Sequence, residues 1–221
     1  MQIGIDGPSG SGKSSVAKAL AKRLGFIHID TGGMYRAVAL FARERGADWQ
    51  DEAQILEILD EIEIDIQHGT DGQRIFLNGQ DVTTLVRGAE MGVGASKVSV
   101  YPAVREGLVA LQRDLAKSRD VVMDGRDIGT VVLPDAQLKI FLTASPQVRA
   151  RRRCDELAAL GQNWDFEEIL AQIEKRDFDD SNRAVSPLKK AAGVVEIDAS
   201  DLDINGVVEI IAEMVRQLEV F

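Results

Sequence analysis

A short alternating apolar stretch at 2–6 reads as a strand. After a loop at 7–12 the apolar positions change to helical spacing, at Val16, Ala17, Leu20, Ala21 and Leu24, and Gly25 ends the run of 13–24. A second apolar stretch at 26–29 predicts another strand. Strand, helix and strand in so short a span form one βαβ unit, which implies a parallel sheet covered by helices. Two further helices are predicted at 34–45 and 51–62.

The pattern then changes. Short alternating stretches at 63–67 and 74–78 flank a turn at 68–72, and Asn78-Gly79 offers a second turn before 80–82. This predicts a small antiparallel insertion, not a continuation of the α/β core. Helical spacing returns at 88–98 and 101–116, and core strands three and four are predicted at 121–124 and 138–142. Residues 145–177 read as helical and charged, with a break near Gly161, before a fifth strand at 194–198 and an amphipathic helix at 204–218. The expected fold is α/β, a five-stranded parallel sheet flanked by helices. One unit is expected, with a core at 1–60, 84–145 and 184–221, the insertion at 61–83, and a helical lid with its return helix at 146–183.

Composition narrows the function classes. The 221 residues are 45% hydrophobic and 28% charged, a globular and not a disordered balance. With 26 Lys+Arg against 36 Asp+Glu, the net charge of −10 argues against broad binding to nucleic acid or an anionic membrane. The single cysteine, Cys154, has no internal disulfide partner and suits a reducing compartment. No apolar run approaches the roughly 18 residues of a membrane span. No basic segment followed by an apolar stretch opens the chain, so a cytoplasmic protein without a leader is expected.

The sharpest chemical signal is Gly7-Pro8-Ser9-Gly10-Ser11-Gly12-Lys13-Ser14, a full match to G-x-x-x-x-G-K-[ST] between a predicted strand and a predicted helix. Glycines let such a loop curl until successive N–H groups converge on a phosphate, and the helix N-terminus adds its dipole. Lys13 would reach the β- and γ-phosphates of a nucleoside triphosphate, and the Ser14 hydroxyl would serve Mg²⁺. The fold class is thus of the P-loop NTPase type. A guanine-reading Asn-Lys-x-Asp motif and a Leu-Ser-Gly-Gly-Gln stretch are both missing, which argues against a GTPase switch and an ABC-type ATPase.

A second basic surface is the next expectation. Arg36, after Asp30-Thr31-Gly32-Gly33, and Arg126, within Asp124-Gly125-Arg126-Asp127, both follow strand ends, where open α/β sheets place ligands. Asp124 ends an apolar strand, the position of an acid that holds Mg²⁺ or its waters, or of a carboxylate that caps backbone N–H groups. Arg149, Arg151, Arg152 and Arg153 crowd one helix and point around it, either as a salt-bridged surface or as a lid that closes over the triphosphate. Arg176, Asp180 and Arg183 follow at i, i+4 and i+7, on one helical face.

These residues together resemble the bacterial cytidylate kinases, within the nucleoside-monophosphate kinases. The resemblance runs through Ile5–Lys13, Asp30-Thr31-Gly32 with Tyr35-Arg36, and Ala95-Ser96 to Arg105. It continues through Asp124-Gly125-Arg126-Asp127-Ile128-Gly129-Thr130 and from Arg176-Asp177 to Ser181-Asn182-Arg183-Ala184. The last two segments are far more specific than the phosphate loop. The resemblance implies Mg²⁺-dependent transfer of the γ-phosphoryl group of ATP to CMP or dCMP, by a monomer. It implies that Ser96, Arg105 and Asp127 read the cytosine, that Arg36 and Arg126 hold the monophosphate, and that Arg176 and Asp180 lie near the sugar. Arg183 would reach the acceptor or its phosphate, and Asp30 would belong to the same acceptor region.

The donor site would comprise Gly7, Pro8, Ser9, Gly10, Ser11, Gly12, Lys13, Ser14, Ser15 and Arg152, with Ser14 and Asp124 serving the metal. Lys13, Arg126 and Arg183 are the expected catalytic set. The donor–acceptor pattern of cytosine suits an acceptor such as Asp127 and a donor fork such as Arg105, whereas uracil reverses two of these positions. Other small P-loop kinases, including those for adenylate, guanylate, UMP or shikimate, share the loop. So does a nucleotide-binding protein without turnover, and a nucleic-acid binder using the arginine run conflicts with the overall charge.

Overall fold

The structure, a computed structural model, describes residues 1–69, 72–117, 119–159, 161–162 and 164–219. Five parallel strands form the main sheet: β1 (Gln2–Asp6), β2 (Ile27–Asp30), β6 (Val121–Gly125), β7 (Leu138–Thr143) and β8 (Val195–Asp198), in the order β2-β6-β1-β7-β8. β1 therefore sits at the centre, and β6 is inserted between it and β2. The register aligns Ile5 with Asp124, Asp6 with Gly125, and Asp30 with Asp124. The carboxyl ends of three strands thus stop at one level.

Helix α1 (Lys13–Leu24) and the last helix, α8 (Ile204–Glu219), cover one face. Ile3, Ile5, Ile140 and Leu142 from the sheet meet Val16, Leu20, Val207 and Ile211 there. Gly25 terminates α1 at φ 72°, as its position in the sequence suggested. The opposite face carries α2 (Thr31–Glu44), α4 (Ala89–Val98) and α5 (Pro102–Ala116), with Ile29, Met123 and Ile128 in the larger core cluster. α3 (Glu52–Leu59) is shorter than its predicted span. α2 starts at Thr31, earlier than predicted, because the Asp30 side chain caps it by accepting from the Gly33 amide at 3.0 Å.

A separate three-stranded antiparallel sheet, β3 (Ile64–Gly69), β4 (Gly72–Leu77) and β5 (Gln80–Asp81), lies beyond the β2 edge. Its Ile66, Ile75 and Leu77 join the larger core. Asn78 and Gly79 both take positive φ, 48° and 78°, as a tight hairpin requires. Within the first turn, expected at 68–72, Thr70 and Asp71 lie outside the described residues. α6 (Pro146–Ala159) and α7 (Phe166–Asn182) form a helical pair with its own apolar cluster of Ala150, Leu157, Ile169 and Ile173. Cys154 packs against that cluster. The predicted break between the two helices includes residues 160 and 163, which lie outside the described residues.

Candidate active site

The loop at 7–12 joins the end of β1 to α1, as the motif requires. Gly7 leaves no room for a side chain: a Cβ there would lie 2.1 Å from the Leu142 carbonyl oxygen of β7. Gly12 enters α1 at φ 87°, a left-handed conformation natural to glycine. Lys13 folds back so that its Nζ donates to the Pro8 carbonyl at 3.3 Å. Burial, followed by repulsion from Arg126, lowers the Lys13 ammonium to a pKa of about 7. The loop thus holds a buried lysine whose charge a phosphate would restore.

Asp124, at the end of β6, faces this lysine from one strand away. Ser14 Oγ donates to its Oδ2 at 2.5 Å, and His28 Nε2 on β2 lies 2.7 Å from its Oδ1. Burial works to raise the Asp124 carboxyl, but the His28 hydrogen bond and the Lys13 charge outweigh it and hold it below the ordinary carboxylate range. A hydroxyl and an ionised carboxylate in contact form a hard-oxygen donor pair that fits Mg²⁺. Among the described residues no cluster of three or more His, Cys, Asp or Glu side chains could hold a metal by itself. The pair therefore fits an ion whose remaining ligands are phosphate oxygens and water, the usual habit of Mg²⁺.

Next to the loop opens a cleft lined by Lys13, Arg36, Arg105, Arg126, Arg176 and Arg183 and by Asp30, Asp124, Asp127 and Asp180. Five arginines against four carboxylates leave it locally positive even where Lys13 is neutral, in a chain of net charge −10. Ser9, Gly10, Ser14, Tyr35, Ser96 and Ser99 complete much of its wall. Carboxylates hold most of these arginines in place. Asp30 grips Arg36 at 2.5 Å, Asp180 grips Arg126 at 2.8 Å and approaches Arg183 at 4.0 Å, and Asp127 pairs with Arg105.

Arg105 and Asp127 are both buried, and the Arg105 guanidinium also lies 5.3 Å over the Tyr35 ring and donates to the Ser99 carbonyl at 3.1 Å. Burial works against ionisation of Asp180, yet Arg126 next to it keeps the carboxyl below its ordinary value. Burial, then Arg126, lowers Arg176 to about 10. Despite these pairs, Arg36 Nε, Arg105 Nε, Arg176 Nε and Arg183 Nη2 are buried with no hydrogen-bond partner. Arginines that line a cleft present charged N–H donors to it, and a polyanion there would accept from them.

The segment that carries Arg126 and Asp127 is anchored from β1. Asp6 accepts from the Ile128 and Gly129 amides, both at 2.8 Å, at the start of a π-helical turn over Ile128–Val132. Burial raises the Asp6 carboxyl to about 6. Neither this clamp nor the π turn is evident from apolar spacing. Tyr35 and His28 were also not singled out for the site; both sit beside motif residues on β2 and α2.

The arginines of α6 divide by their contacts. Arg149 is buried and donates to the Ala144 carbonyl at 2.8 Å, the Ser9 carbonyl at 3.0 Å and Asp177 at 2.6 Å. Arg151 lies 5.1 Å over the Phe166 ring, and Arg153 pairs with Glu156 at 3.0 Å. Arg152 lies beside the loop but donates to the Ala199 carbonyl at 2.6 Å, with Ser11 O at 3.5 Å, and is not among the cleft-lining residues. Ser15 is exposed on α1, also outside the cleft lining. Arg176 and Asp180 share a face of α7, while Arg183 falls just past its end with φ −62° and ψ 145° and still lines the cleft.

Comparison with known proteins adds an independent line. The sequence profile of the family described as cytidylate kinase matches residues 3–217. Proteins named cytidylate kinase align with the chain from Caldanaerobacter subterraneus subsp. tengcongensis (49% identical, covering 98% of this chain and 95% of that one) and Mycobacterium avium (47% identical, 97% and 95%). One from Lactobacillus gasseri is 46% identical, covering 98% of this chain and 94% of its own. Among solved structures, a shikimate kinase from Bacteroides thetaiotaomicron shares the fold, with a TM-score of 0.50 at 16% identity, covering 98% of each chain.

Proposed function

The chain belongs to the cytidylate kinase family, and from that premise we propose how its cleft divides two nucleotides between two tiers of residues. The reaction is transfer of the γ-phosphoryl group of ATP to CMP or dCMP, giving ADP and CDP or dCDP. An oxygen of the acceptor phosphate attacks the γ-phosphorus, and the bond from that phosphorus to the β–γ bridging oxygen breaks. No nucleophilic side chain is needed.

The phosphate loop, Gly7 to Ser14, takes the triphosphate on its N–H groups, with Lys13 as the charge that follows the transferring group. Ser14 and Asp124 would hold Mg²⁺, which supplies charge neutralisation at the phosphate oxygens. Arg36 and Arg126 hold the acceptor phosphate, and Arg183 reaches between acceptor and donor. Arg105, Asp127 and Ser96 read the cytosine, while Arg176 and Asp180 flank the sugar. Five arginines that line one cleft with Lys13 and Ser14 of the phosphate loop, in a chain of net charge −10, are the observation that carries this reading. Arg149 holds the lid helix against the loop through the Ser9 carbonyl and Arg152 holds it to the chain after β8 through the Ala199 carbonyl, which supports a structural part for both beside the donor site.

The same reading makes the insertion and the helical pair parts of one enzyme unit that works as a cytoplasmic monomer. Among the described residues no helix is long and apolar enough to cross a membrane.

Steady-state kinetics on three variants test the division. Arg36→Gln and Arg126→Gln should each raise the KM for CMP at least ~10-fold, since each removes a charged hydrogen bond to phosphate, and leave the KM for ATP near wild type. Lys13→Met should lower kcat by at least ~10²-fold. Equal effects of either arginine on both substrates would overturn the two-tier assignment.

A further inference from the structure

Strand β2 is an edge of the main sheet, paired on one side with β6. Successive residues of a strand present their N–H and C=O groups to opposite edges, so His28 and Asp30 show theirs on the same side. In this protein that side is not left to solvent. The Gln73 side chain, from β4, accepts from the Asp30 amide through Oε1 at 2.8 Å and donates through Nε2 to the Asp30 carbonyl at 3.3 Å. One side-chain amide thus takes the place of a neighbouring strand. His68, on β3, adds a third such bond by donating from Nε2 to the His28 carbonyl at 2.9 Å.

Asp30 is also the residue that places Arg36. Its Oδ1 caps α2 at the Gly33 amide and its Oδ2 grips the Arg36 guanidinium at 2.5 Å. β4 touches the same turn: a Cβ on Gly33 would lie 2.5 Å from Ile75 Cδ1. The antiparallel insertion therefore fixes the backbone of Asp30, and Asp30 fixes both the start of α2 and its arginine.

We propose that Gln73 is a positioning residue for the acceptor phosphate, acting through Asp30 on Arg36. The proposal rests on the reading of Arg36 as an acceptor ligand and gives the insertion a defined part in the reaction. Without Gln73 the edge groups of Asp30 turn to water, the carboxylate loses its fixed origin, and Arg36 samples positions that do not meet the phosphate.

The test is a double-mutant cycle with Gln73→Met and Arg36→Gln, read as KM for CMP, KM for ATP and kcat, with CMP binding by calorimetry and thermal melting alongside. Gln73→Met should raise the KM and Kd for CMP about 3- to 10-fold, the worth of one or two uncharged hydrogen bonds. The KM for ATP and kcat at saturating CMP should stay within about twofold, and on the Arg36→Gln background Gln73→Met should add no more than about twofold. Gln73→Ala removes the same amide without new bulk and serves if the methionine variant does not fold. Unchanged CMP affinity, an equal loss on ATP, or full additivity with Arg36→Gln would each overturn the proposal. If Arg36→Gln alone leaves CMP affinity at wild type, the acceptor reading of Arg36 fails, and the role of Gln73 fails with it.

Discussion

On the proposed assignment of Asp127 to the cytosine, Asp127→Asn perturbs base reading with little change in size. In the free protein Asp127 Oδ2 pairs with Arg105, and both side chains are buried. That leaves Oδ1 for the amino group of cytosine. A hydrogen bond to a charged partner is worth about 1.5–3 kcal/mol and one between neutral groups about 0.5–1.5 kcal/mol, so the substitution removes on the order of 1–2 kcal/mol from the CMP transition state. That corresponds to a fall in kcat/KM of roughly 5- to 30-fold. An asparagine that turns its NH₂ towards the base gains a donor for the uracil O4, so UMP should lose less than CMP, or gain. The CMP-to-UMP ratio of kcat/KM should therefore contract, by roughly 5- to 30-fold where UMP is unchanged and by more where it gains. Coupled detection of ADP with each acceptor measures it, and thermal melting reports whether Arg105 tolerates the loss of its counterion. An unchanged ratio, with CMP and UMP falling by the same factor, would refute the reasoning. It would mean that Asp127 acts on the site as a whole through Arg105.

Two further outcomes follow from the same geometry. Because burial and Arg126 lower Lys13 to about 7, the free lysine is largely neutral at pH 8, and a bound triphosphate would return it to the charged form. ATP binding at pH 8 should then take up a proton, and ATP affinity should weaken as pH rises from about 7 towards the ordinary lysine range. Calorimetry in buffers of different ionisation enthalpy measures the uptake, and identical observed heats would contradict it. Arg149→Leu strands Asp177 and two backbone carbonyls that a buried guanidinium satisfies, and should destabilise the α6–α7 pair by about 3–5 kcal/mol, read as faster amide exchange there. Arg153→Ala, which removes an exposed pair, should change stability by less than about 1 kcal/mol; equal effects of the two would contradict the division.

Much of this arrangement was legible in the chain because the signals were local. The strand at 2–6, the glycines of the phosphate loop and the stop at Gly25 appear where expected, although β1, at the centre of the sheet, is buried at Ile3 to Asp6 without alternation. The insertion was legible for the same reason, through Asn78-Gly79 and a period of two. The start of α2 was not. Thr31-Gly32-Gly33 has poor helix propensity, and the helix begins there only because Asp30 caps it and Gln73 holds Asp30 from far along the chain. Asp6 reads as an ordinary strand end, and its two amide partners lie 122 and 123 residues away. Spacing put four arginines on one helix but could not say which face each served. Arg149 turns inward to the loop, and Arg152 turns to the chain after β8. Arg183 fits the i, i+7 pattern but leaves the helix one residue past its end.

The most direct test of the account is a comparison of kcat/KM with ATP, Mg²⁺ and CMP, dCMP, UMP, AMP, GMP or shikimate as acceptor, followed by ADP release. The account predicts rapid turnover with CMP and dCMP, weak use of UMP and none of consequence with the others. A preference for another acceptor would keep the phosphate loop and discard the cytosine-reading residues. ATP binding without turnover on any acceptor would contradict the account at its centre.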